Sequence, residues 1–100
     1  MKDAASGDSL EEARIRFLDN ELDLSRTFLQ TAFLEGDDPA NALAARSNAQ
    51  TGHDLVLTWV ACIRNAKERD RLMNKLFDLR KKLDDFDMVR SARERSMSSD

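Results

Sequence analysis

The chain's one proline closes the stretch Leu34-Glu35-Gly36-Asp37-Asp38-Pro39, which separates two long segments of helical apolar spacing. Glycine tolerates the left-handed backbone found just past a helix C-terminus. An aspartate two residues later caps a new helix, and a proline suits its first turn, where no amide hydrogen is needed. These six residues therefore predict a tight reversal between two antiparallel helices, and the rest of the chain is organised on that hairpin.

Upstream, Ser9 and Glu12 form a Ser-x-x-Glu capping box, so the first helix is expected over residues 9–35. Residues 1–8, a mixture of Gly, Ser, Asp and Lys without periodicity, are expected to be a disordered leader. Two apolar stripes run along this helix. Leu10, Phe17, Leu24 and Phe28 form one; Ile15, Leu18, Leu22, Leu29 and Phe33 form the other. Two stripes suit a helix that touches two neighbours. Arg14, Glu21, Ser25 and Ala32 lie between them.

The second helix is expected over residues 39–64. Its inner stripe begins small, with Ala42, Ala45, Ala49 and Gly52, and ends bulky, with Val56, Trp59, Val60 and Ile63, all read as core. Counting outward from the hinge sets Ala42 opposite Phe33, Ala45 near Leu29, Ala49 near Ser25, and His53 near Glu21 or Leu22, so large residues meet small ones. Gly52 would cost about 1 kcal/mol relative to alanine within a helix, which a close backbone approach or a bend would explain.

Asn65-Ala66-Lys67-Glu68 has the form of a new helix start. It predicts a break near Asn65 and a third helix over 66–86, against the alternative of one helix spanning 39–86. Leu72, Leu76, Leu79, Leu83 and Phe86 recur in that helix at a four-three spacing, a narrow seam of the kind found in coiled coils and bundles. Residues 89–100, rich in Arg, Ser, Glu and Asp, are expected to be a disordered tail. The fold class is all-α: an antiparallel up-down-up three-helix bundle built on a long helical hairpin.

Function is bounded mainly by what the residues cannot supply. One histidine and one cysteine are too few for a zinc or di-iron ligand set. Neither a phosphate-cradling glycine loop nor a nucleophile elbow is present, so no catalytic residue, metal or cofactor is assigned. A net charge of -3 gives no pull toward nucleic acid, and Arg80-Lys81-Lys82, followed by Asp84 and Asp85, reads as a solvated helix face. The longest apolar run, residues 55–63, is too short for a membrane span of about 20 residues. Cys62, without a partner or an activating neighbour, suits a reducing cytoplasmic compartment.

The expected role is a non-catalytic module that binds a protein partner or a second copy of itself, with no nucleic acid and no membrane. Leu72, Leu76, Leu79, Leu83 and Phe86 are the candidate interface seam of a homodimer. Arg14, Glu21, Ser25 and His53 are a candidate ligand or partner groove, with a Glu21–His53 contact as its sharpest element; a small-ligand-binding or regulatory protein using this polar strip is the alternative. The turn Gly36-Asp37-Asp38-Pro39, followed by Ala42 and Ala49, resembles a tetratricopeptide-type hairpin, in which small residues on the second helix admit large ones from the first. The likeness covers the middle third of the chain and implies a scaffold for protein partners, with no catalytic residue.

Overall fold

The computed structural model describes the backbone of residues 2–34 and 38–98 and the side chains of 9–34 and 38–93. Three helices are present, α1 (Lys2–Leu34), α2 (Pro39–Val60) and α3 (Ala66–Ser98), with no strand among the described residues. Contacts along their lengths fix the directions. Asp19 meets Arg71 and Lys75, and Phe33 meets Phe86, so α1 and α3 run the same way. Arg46 near the start of α2 pairs with Asp87 late in α3, so those two run oppositely. The result is the expected up-down-up bundle, stretched to 70 × 20 × 16 Å.

Asp38 caps α2 as expected: its Oδ1 accepts from the Asn41 amide at 3.3 Å, and Pro39 occupies the first turn. Gly36, with Glu35 and Asp37, lies outside the described residues, so its left-handed turn is not part of the observed cap. At the other end α2 stops at Val60, short of the expected residue 64. The Cys62 and Ile63 amides donate to Trp59 and Val60 carbonyls three residues back, tightening the chain and turning Ile63 into the core. Asn65 then caps α3, its Oδ1 accepting from the Glu68 amide at 3.1 Å. Two side chains hold the junction: Glu11 Oε1 accepts from the Arg64 amide at 2.5 Å, and Arg69 donates to the Ile63 carbonyl at 2.9 Å. The break near Asn65 is real, and a continuous helix over 39–86 is not formed.

Two other boundaries differ from expectation. The first helix begins at Lys2, so Ser9-x-x-Glu12 lies within it and is not its cap. The third continues past Phe86 to Ser98, through residues whose composition suggests a tail. Neither extension contains a proline, and once a helix is nucleated each added residue gains a hydrogen bond at small cost. Composition does not identify where the helix ends.

The core is drawn from Leu18, Leu22, Leu29 and Ala32 of α1, the small stripe and valines of α2, and the whole leucine seam of α3. Leu72, Leu76, Leu79, Leu83 and Phe86 are buried inside this chain. They are therefore corrected from interface to core: α3 closes the hairpin with them, leaving nothing of that seam for a second copy. A Cβ added at Gly52 would stand 1.9 Å from Ser25 Oγ, 3.3 Å from Ser25 Cβ and 3.5 Å from the Glu21 carbonyl oxygen. Close backbone approach thus accounts for Gly52, which meets Ser25 and the Glu21 carbonyl within one turn of the height that the register predicts.

Charges cross the α1 to α3 seam. Lys75 pairs with Asp19 and, at 2.8 Å, with Asp23; Arg71 reaches Asp19 at 3.3 Å and Glu68 at 2.8 Å. Burial alone would raise the Asp19 carboxyl, yet hydrogen bonds and charge from Lys75 and Arg71 outweigh it and hold the group below its ordinary 3.8. Burial likewise would lower the Lys75 ammonium, but Asp19 and Asp23 lift it above 10.5. A lowered carboxyl stabilises the fold fully above its unfolded pKa and loses that contribution as pH falls through the folded one; a raised ammonium does so below its unfolded pKa and loses it as pH rises. Stability should therefore fall at both extremes. Denaturant unfolding of Asp19→Asn should show a shallower loss than the wild type between about pH 5 and about pH 2; identical slopes would show that Asp19 is not a linked group.

Candidate functional site

The two stripes of α1 have different fates. Ile15, Leu18, Leu22 and Leu29 enter the core or pack against it. The other stripe is left uncovered: Leu10 is 54%, Phe17 52% and Leu24 49% exposed, with Phe28 alone packed against the core. Leu10, Phe17 and Leu24 recur at heptad spacing and so share one helix face. α2 and α3 both pack on α1, yet among the described residues neither covers this stripe.

Beside the stripe, the last turn of α2 supplies Trp59, 53% exposed, and the turn after it supplies the exposed Cys62. Trp59 is thereby corrected from core to rim. Val56 and Val60, one turn apart, take the inward positions and carry Trp59 off the inner line. Together Ala13, Arg14, Phe17, Leu18, Trp59 and Cys62 line an apolar groove of about 400 Å³ between α1 and α2. Of two other surface depressions, one is lined mainly by charged and polar side chains, including Glu11, Glu12, Arg16, Glu68 and Arg71, and the other mixes Arg26, Gln30, Lys82 and Asp85 with Leu29, Phe33 and Leu34. The groove at Trp59 is the most apolar of these three.

The polar strip read from the sequence does not come together as one site. Arg14 lines the apolar groove, and Glu21, half-buried, lies two turns further along the same face. Ser25 is buried against Gly52. His53 is buried too, with Nδ1 3.0 Å from Asp54 Oδ1; an ionised carboxylate only accepts, so the ring nitrogen donates. This bond is the main cause of the lowered Asp54 pKa, with smaller contributions from Gln50 and Arg80 and with burial opposing. The Glu21–His53 contact is therefore corrected: the hinge register gives the two residues similar height, but His53 bonds Asp54, and among the described residues no hydrogen bond or ion pair joins it to Glu21.

Among the described residues no group of three or more His, Cys, Asp or Glu is arranged to hold a metal ion. No helix is long and apolar enough to cross a membrane. The ion pairs that sequence spacing could not show lie on the helix seams: the Asp19, Lys75 and Arg71 network, and the two-pronged Arg46 to Asp87 pair at 3.0 and 2.7 Å. Only local signals such as the lone Arg46 on the inner side of α2 hint at them. Comparison with protein-family models, curated proteins and solved structures finds no match to this chain.

Proposed function

We propose that this chain is a small non-catalytic helical module of the cytoplasm that docks a protein through the open side of its hairpin. The observation that carries this is the uncovered Leu10, Phe17 and Leu24 stripe with Trp59 beside it. Apolar side chains at heptad spacing form the kind of face that an amphipathic helix recognises, and half-exposed aromatic side chains in a groove are the usual anchors of binding energy. The ionised groups support the same division of labour, since Asp19, Lys75, Arg71, Arg46 and Asp87 are engaged in holding α3 in place. Resemblance of the hinge to tetratricopeptide hairpins points toward the same use.

Photo-crosslinking tests the proposal. A photoactivatable residue replacing Phe17 should form adducts with protein, whether another copy or a different chain, while the same residue replacing the exposed Phe77 on α3 should not. Equal yields from the two positions would remove the groove as the docking face.

A further inference from the structure

We infer that the groove's occupant is a second copy of this chain, lying antiparallel along α1 about a two-fold axis beside Phe17; this rests on the groove being a protein-docking face. In an antiparallel pair of like helices, residues whose numbers sum to a constant lie opposite each other. An axis close to Phe17 sets Leu10 beside the partner's Leu24 and Phe17 against the partner's Phe17. Arg14 and the partner's Glu21 sum to one more than these pairs, an offset of only about 1.5 Å along the helix that long side chains span, and the converse pair forms by symmetry.

Within one chain these two charges cannot serve each other, since two turns of helix separate them by about 10 Å. Among the described residues neither Arg14 nor Glu21 makes an ion pair. Their spacing about Phe17 is what makes the face self-complementary, and like charges would meet if the helices were parallel and in register. Size is adequate as well. Aromatic side chains carry roughly 150–250 Å² each and leucines somewhat less, so Leu10, Phe17, Leu24 and Trp59, each about half exposed, offer roughly 300–400 Å² per copy. Two copies, before the polar rim is added, approach the roughly 1,000 Å² expected of a specific interface. A two-fold contact of this kind uses the same patch on both chains and closes after two copies.

Charge exchange is the test. Arg14→Glu replaces both cross-pairs with facing carboxylates, and Glu21→Arg replaces both with facing guanidinium groups. Sedimentation of the purified full chain in the micromolar range should show a dimer for the wild type and a dissociation constant about tenfold or more weaker for each variant alone. A mixture of the two variants should recover the dimer. The carboxylate introduced in one variant then faces the guanidinium introduced in the other, and the unaltered Arg14 and Glu21 face each other at the second contact. Circular dichroism of each variant should match the wild type, which keeps loss of fold apart from loss of association. A wild-type monomer throughout that range overturns the inference, as does a dimer indifferent to both substitutions. If the wild type is monomeric while position 17 still crosslinks to another protein, self-association fails and the docking groove stands; if neither association is seen, both fail.

Discussion

Leu79→Ala should lower the unfolding free energy by about 2–5 kcal/mol, the range for emptying a fully buried leucine site. Phe77→Ala, two residues away, should stay within about 0.5 kcal/mol, the usual effect of an exposed substitution. Leu79 is 0% exposed and Phe77 62%, so the contrast follows from which side of α3 each occupies. Denaturant unfolding at one pH reads both. The comparison also separates core from interface. Were the leucine seam a contact between copies, Leu79→Ala would shift the monomer-dimer balance and leave unfolding of the monomer unaltered; as core, it makes the chain easier to unfold at every concentration.

The second large effect is expected at Gly52. Gly52→Val should cost about 2–3 kcal/mol, since overfilling a packed contact typically costs about 1–3 kcal/mol and a β-branched side chain recovers little of glycine's helical penalty. The new Cβ would fall 1.9 Å from Ser25 Oγ. Rotating that hydroxyl relieves the nearest atom, but Ser25 Cβ at 3.3 Å remains in the way. In a Ser25→Gly background, which removes both atoms, the same substitution should cost less, giving a coupling of about 1 kcal/mol in a double-mutant cycle. Equal costs in both backgrounds would mean that α1 and α2 do not meet closely at this pair.

Much of this architecture is legible in the sequence, for identifiable reasons. Asp38 and Pro39 act through local backbone chemistry, so they mark the start of α2 wherever it lies in the fold. Asn65 and Glu68 do the same for α3. The burial of Ala42, Ala45 and Ala49 follows from the small stripe of α2, and the contact of Gly52 with Ser25 falls within one turn of the count from the hinge, which set Ala49 near Ser25.

What is not legible depends on azimuth, the side of a helix on which a residue lies relative to elements far away in sequence. Counting from a hinge fixes height alone, which is why Glu21 and His53 can be level and still not pair. The regular spacing of Leu72 to Phe86 shows that the seam must be buried, but not whether its cover comes from the same chain. Size alone argues for Trp59 as core, whereas Val56 and Val60 already fill the inward positions. Lys75 and Asp19 lie far apart in sequence and carry no local pattern that would pair them. The double stripe of α1 gains its meaning only once the bundle is assembled: α2 and α3 both pack on α1, and among the described residues Leu10, Phe17 and Leu24 still lie open to a further neighbour.

That further neighbour is the central claim, and the crosslinking comparison of Phe17 with Phe77 tests it most directly. Both side chains are large, aromatic and more than half exposed, so general stickiness would treat them alike. A yield of protein adducts from position 17 well above that from position 77, and reduced when Trp59 is replaced by glutamate, is the predicted result. Matching yields, or adducts from position 17 that are insensitive to Trp59→Glu, would contradict a docking face on the open side of the hairpin.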